Sequence, residues 1–250
     1  MCHAEQSFPV SGDDSVIEER IEIEGAGAIL PSYFVRPEGQ TAPAVLVIHD
    51  VNGANDFYED LARRLAHEGF AALLPNYFVR QGPLPEPTLE ASRARAAQLD
   101  EPTTMLDIAH TLRWLEQQDG TNGSVGAVGF CMGGTLALLS AGRDPLPAAV
   151  VSYYGFPAGR QGWPDRPLDE VEALQAPALA FWGDQDHGVG MDNVAAYEKA
   201  VVNAGKNVET VIYAGRSHGF LTFDPDSPSF ASAQDSWQQT LGFFRRYLTS

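Results

Sequence analysis

The chain is short of basic residues: 16 Lys and Arg stand against 33 Asp and Glu in 250 residues, a formal net charge of -17 at pH 7. That balance argues against partners such as nucleic acid or an anionic membrane, which demand basic patches. It leaves a small molecule as the expected partner. Long apolar runs are also missing, since none approaches the roughly 20 residues of a membrane span. The opening Met1-Cys-His-Ala-Glu-Gln-Ser lacks the apolar core of a secretory signal. Cysteine is nearly absent. Cys2 lies in a segment, 1–15, expected to be a mobile tail, and Cys131 is far along the chain, so no structural disulfide and a reducing cytoplasm are expected. His67, His110 and His187 fall on separate segments without ligand spacing, which predicts no metal and no cofactor. No repeat or linker divides the rest, so 16–250 reads as one domain, a monomer or a small homo-oligomer.

What is present is an alternation of apolar runs with amphipathic ones. Val16–Glu24 and Ile29–Val35, separated by Gly25-Ala-Gly27, predict an antiparallel hairpin at a sheet edge. Ala44–His49 is a continuous apolar run, the mark of a strand buried on both faces. Strands are then predicted at 70–74, 124–129, 148–154, 178–182 and 208–213. Helices are predicted at 57–68, 88–98, 103–118, 132–141, 191–204 and 232–248. This order predicts an α/β fold: a mostly parallel, doubly wound sheet of about 7–8 strands with helices on both faces. Ligands in such sheets bind beyond the carboxyl ends of the strands.

Chemistry-bearing residues gather at those ends. Gly129-Phe-Cys-Met-Gly133, between the 124–129 strand and the 132–141 helix, is a nucleophile elbow with cysteine in the serine position. Glycine is required two residues either side of Cys131, because a Cβ there would collide across the turn. The following helix presents unpaired N–H groups and a positive dipole end, which favour a thiolate. Asp186 follows the 178–182 strand and His218 the last one. Nucleophile, acid and histidine in this order make the triad order of α/β hydrolases. His218 would take the thiol proton and return it to the leaving group, and Asp186 would fix its tautomer. Asp184 competes with Asp186 for that place and otherwise caps the turn. The backbone N–H groups of Met132 and Val51 are the expected oxyanion donors. Tyr153 and Tyr154, after their strand, are expected to wall the pocket and to contact substrate. His49 reads as a hydrogen-bonded core histidine.

Three segments, Gly129-Phe-Cys-Met-Gly-Gly134, Gly183-Asp-Gln-Asp-His187 and Tyr213-Ala-Gly-Arg-Ser-His-Gly-Phe220, resemble signatures of the dienelactone hydrolase (carboxymethylenebutenolidase) family. His49-Asp-Val-Asn-Gly53 and Pro75-Asn-Tyr-Phe-Val-Arg80 extend the likeness over about residues 16–248. The resemblance implies an α/β-hydrolase fold and cleavage of a lactone or small carboxylic ester through a cysteine acyl-enzyme, and it favours Asp186 over Asp184. It implies that Asp50, in place of the family's glutamate and one methylene shorter, tunes the thiol. It also implies that Arg80 contacts a substrate carboxylate, while the second arginine of that grip is replaced here by Thr222. Two other readings share these residues: a thioesterase or promiscuous esterase without lactone preference, and a non-hydrolytic redox-sensing thiol protein.

Overall fold

The computed structural model describes residues 3, 8–10 and 15–249. Its sheet has eight strands: β1 (Val16–Glu24), β2 (Ile29–Pro37), β3 (Ala42–Ile48), β4 (Ala71–Pro75), β5 (Thr121–Phe130), β6 (Ala149–Tyr153), β7 (Ala178–Gly183) and β8 (Val208–Tyr213). The order across the sheet is β1-β2-β4-β3-β5-β6-β7-β8. β1 pairs with β2 and β2 with β4 antiparallel; every pairing from β4 to β8 is parallel. The apolar runs explain the interior. Every residue of β3, β4, β6 and β7 is buried, as strands covered on both faces must be. The edge hairpin instead alternates, and the acids Glu18, Glu19, Glu22 and Glu24 of β1 are not buried.

Six helices complete the fold: α1 (Asp56–His67), α2 (Leu89–Ala96), α3 (Glu101–Glu116), α4 (Met132–Ser140), α5 (Met191–Asn203) and α6 (Phe230–Leu248). Two glycines on β5 show that helices cover both faces. A Cβ on Gly126 would meet Phe244 and Leu248 of α6, whereas one on Gly129, on the opposite face, would meet Gly133 and Ala137 of α4. The predicted elements all form, with boundaries moved by a few residues. The segment 1–15 read as a tail lies largely outside the described residues, Cys2 included. His3 belongs to that segment and is buried. Among the described residues, no helix is long and apolar enough to cross a membrane.

Candidate active site

The buried strand β5 ends at Phe130, and the chain reverses into α4 through Cys131 at φ 55°, ψ -115°. A non-glycine residue in that region is strained by about 1–3 kcal/mol, so the surroundings must hold it there. They do so with backbone. A Cβ on Gly129 would lie 2.0 Å from the Gly133 carbonyl oxygen, and one on Gly133 would lie 2.1 Å from the Ile48 carbonyl oxygen. The Cys131 N–H donates to the Tyr153 carbonyl at 3.0 Å, tying the elbow to the end of β6. α4, buried along its whole length, then sets its N-terminal N–H groups, Met132 first, beside the sulfur-bearing residue.

Beyond β7 and β8 the two loops meet. A Cβ on Gly183 would stand 2.1 Å from the Arg216 carbonyl, and the Gln185 N–H donates to that same oxygen at 2.9 Å. This close approach brings Asp186 Oδ2 within 2.6 Å of His218 Nδ1. The other carboxylate oxygen accepts the N–H groups of Gly188 and Val189, each at 3.1 Å, so Asp186 is fixed at both ends. Asp184 faces elsewhere and accepts the Gly215 N–H at 2.7 Å, the turn-capping alternative. The His218 ring lies against Tyr154 and Phe156, with centroids at 4.9 and 5.5 Å.

Cys131, Asp186, His218 and Val51 all line one open cavity of about 740 Å³. Its walls come from α2 (Leu89, Arg93, Ala96) and from the loop after β6 (Phe156, Arg160, Trp163). Composition alone did not point to these walls. Helix α2 carries little periodicity, and the loop is a Gly- and Pro-rich stretch whose only signal is its aromatic content.

The loop after β3 is held with similar thoroughness. Asp50 is fully buried and accepts the Asn52 N–H at 2.7 Å. Arg95 on α2 donates to the carbonyls of Val51 and Asn52 at 3.3 and 2.8 Å, with its guanidinium 4.1 Å from the Phe78 ring. Arg95 is therefore a positioning residue that the sequence did not suggest. His49 is a core histidine: Nδ1–H donates to the Asp50 carbonyl at 2.9 Å, and Nε2 accepts the Tyr77 N–H at 3.2 Å. Only the neutral ring satisfies both bonds, and burial lowers its pKa to about 4. Because the folded value lies below the unfolded one, this stabilisation is complete above pH 6.5 and fades as the pH falls toward 4. A loss of about 3 kcal/mol from His49 is expected over that range, visible as falling urea midpoints between pH 7 and 4.5.

Three expected substrate contacts are placed elsewhere. Arg80 is not among the residues lining the cavity. Its guanidinium grips buried Asp107 at 2.6 and 3.1 Å and the Ala26 carbonyl at 2.7 Å, sealing the β1–β2 turn. Arg80→Ala is expected to cost about 3 kcal/mol, because it strips a buried carboxylate of its cation, and to leave KM unchanged. Denaturant melts and steady-state kinetics read the two separately. Tyr153 is a core residue, its hydroxyl bonded to Thr240 at 2.8 Å. Tyr154 is also fully buried and is not among the cavity-lining residues; it lies behind the site against His218, in a positive-φ conformation (41°).

A mostly parallel sheet whose strand ends carry an elbow cysteine and an Asp–His pair defines an α/β hydrolase. The sequence profile of the Dienelactone hydrolase family matches residues 30–248. The chain belongs to that family and is a hydrolase. It is 32% identical to a carboxymethylenebutenolidase of Rhodococcus opacus over 254 aligned residues, covering 100% of this chain and 98% of the relative. A Klebsiella pneumoniae structure assigned as a dienelactone hydrolase superposes with a TM-score of 0.85 at 28% identity, covering 94% of this chain and all of the other. A dienelactone hydrolase-like promiscuous phosphotriesterase from metagenomic libraries shares the fold, with a TM-score of 0.74 at 22% identity over 93% of this chain and 99% of that one.

Proposed function

We propose that the chain cleaves a lactone or small carboxylic ester through an acyl-enzyme on Cys131. The observation that carries this reading is the convergence of the strained elbow cysteine and the 2.6 Å Asp186–His218 pair on one cavity. His218 Nε2 takes the thiol proton, and the sulfur adds to the acyl carbon. The N–H groups of Met132 and Val51 receive the oxyanion, an interaction worth about 2.7–4 kcal/mol per donor. The C–O bond breaks as the imidazolium returns its proton to the departing alkoxide. Water then gives a proton to His218 while its oxygen attacks the thioester carbon. The C–S bond breaks, releasing the acid and restoring the thiol with that proton. Asp50 tunes the thiol from the loop after β3.

Substrate charge is read by Arg93 and Arg160, which line the cavity, rather than by Arg80. With Arg80 held by Asp107 and Thr222 at the other family position, a paired arginine clamp is absent from these two places. That difference favours an enzyme tolerant in its acyl group, such as a thioesterase or promiscuous esterase, over one confined to a small lactone acid. Brief incubation with a panel of lactones, aryl esters and thioesters, followed by mass spectrometry, tests the proposal. The expected result is an adduct confined to Cys131 in the wild type that forms more slowly in His218→Ala and is missing in Cys131→Ala. Turnover with no adduct in any variant, or no reaction with any panel member, would overturn it.

A further inference from the structure

The described N-terminal residue His3 is bonded into the site itself, ahead of the first strand. Its main-chain N–H donates to Asp50 Oδ2 at 2.8 Å, and its Nε2 shares a 2.5 Å hydrogen bond with the Tyr154 hydroxyl. Its carbonyl accepts the Asn55 side-chain amide at 2.7 Å. The imidazole stacks on Phe57 with centroids 3.7 Å apart and meets the edge of Phe130, the residue before the nucleophile, at 6.1 Å.

These contacts have a topological meaning. Asp50 follows β3 and Tyr154 follows β6, while Cys131 follows β5, which lies between them in the sheet. His3 thus spans the elbow strand and joins its two neighbours. Asn55 supports the same conclusion. It is the N-cap residue of α1, where asparagine ordinarily accepts a helix N–H, yet it makes no side-chain cap here and donates to His3 instead. The titratable groups around His3 are Asp50 at its main-chain N–H, Tyr58 and Tyr154 at its ring and, by its charge, His218. Burial and then the neighbouring His218 lower the His3 pKa to about 3, so the ring is neutral at working pH and does not compete with His218 for the thiol proton.

We infer that His3 is a positioning residue of the thiol site, setting the Asp50 carboxylate and the Tyr154 hydroxyl on the two flanks of Cys131. The inference deepens the acyl-enzyme reading and rests on it for its effect on turnover. Its effect on the thiol can be read without any substrate.

Three measurements on the full chain test it in wild type, His3→Ala, His3→Gln and Asn55→Ala. They are the pH profile of Cys131 alkylation by iodoacetamide, kcat and KM on the best panel ester, and the thermal midpoint. In His3→Ala the alkylation midpoint is expected to move by about half a pH unit. The kcat should fall about tenfold with KM little changed, the scale of a small misplacement of reacting groups. Asn55→Ala should move both in the same direction. His3→Gln, whose amide can still reach the Tyr154 hydroxyl, should recover most of the loss. An unchanged alkylation profile and kcat in His3→Ala would overturn the inference. So would a loss that follows the thermal midpoint and is not restored by glutamine. A wild type that alkylates normally but never forms an acyl adduct would instead remove the acyl-enzyme reading, leaving the alkylation profiles to judge His3.

Discussion

Asp186→Asn is expected to lower kcat by about 10⁴-fold while leaving the fold intact, the scale seen when a triad histidine is locked in the wrong tautomer. The size follows from which atom the amide must place where. Oδ1 of Asp186 accepts two backbone N–H groups, from Gly188 and Val189, and an amide NH₂ cannot occupy that position. The asparagine carbonyl is therefore pinned there, and its NH₂ is turned toward His218 Nδ1. The imidazole must then carry its proton on Nε2, the nitrogen that the proposed mechanism needs free to accept the thiol proton. A ring merely loosened would lose far less. The expected signature is a collapsed kcat, a thermal midpoint close to wild type and a slowed reaction of Cys131 with iodoacetamide near neutral pH. A kcat within tenfold of wild type would mean that the Asp186–His218 contact only holds the loops together.

Gly133→Ala should be among the most damaging single methyl groups in the described part of the chain, with those on Gly129 and Gly183. Its Cβ would fall 2.1 Å from the Ile48 carbonyl oxygen and 2.6 Å from that of His49, both backbone atoms at the end of the central strand β3. No rotamer change relieves contact with a main chain, so α4 must move away from the sheet. Overpacking of this kind costs about 3 kcal/mol or more. For a chain of this length that lowers Tm by roughly 6–12 °C. Because α4 begins at Met132, its displacement also moves the N–H proposed to receive the oxyanion, and activity should fall further than the population of folded protein. Gly27→Ala makes the comparison, since a Cβ there meets nothing within 4 Å and only its positive φ is strained. Scanning calorimetry and kcat on both variants separate the two effects.

The strand ends were legible because buried parallel strands must be continuous apolar runs, and the elbow because its glycines are dictated by backbone contact. The same logic placed His218 after β8 and left Asp184 and Asp186 as alternatives. Residue pattern alone cannot separate two positions along a turn; the family resemblance favoured Asp186, and the physical reason is the Arg216 carbonyl drawing the loops together. Arg80 shows a different limit. It stands near the end of β4 as expected, but its long side chain turns to Asp107, whose burial on α3 has no sequence mark of its own. Arg95 and His3 were invisible for related reasons. Arg95 sits on a short helix without amphipathic pattern and acts on carbonyls of another segment. His3 belongs to no element, and its partners lie 47 and 151 residues away.

The burial of α4 has a consequence for how the enzyme fails. All nine residues from Met132 to Ser140 are shielded, between strands that are themselves at the centre of the sheet. Amides in such a unit exchange with deuterium only when the whole domain opens, whereas those of surface loops exchange through small local excursions. The cysteine is thus mounted at the start of a helix expected to exchange slowly, and Asp186 and His218 on connecting loops. Mild denaturant should silence turnover by loosening those loops while the thiol stays seated, so catalysis is lost before Cys131 is surrendered to solvent.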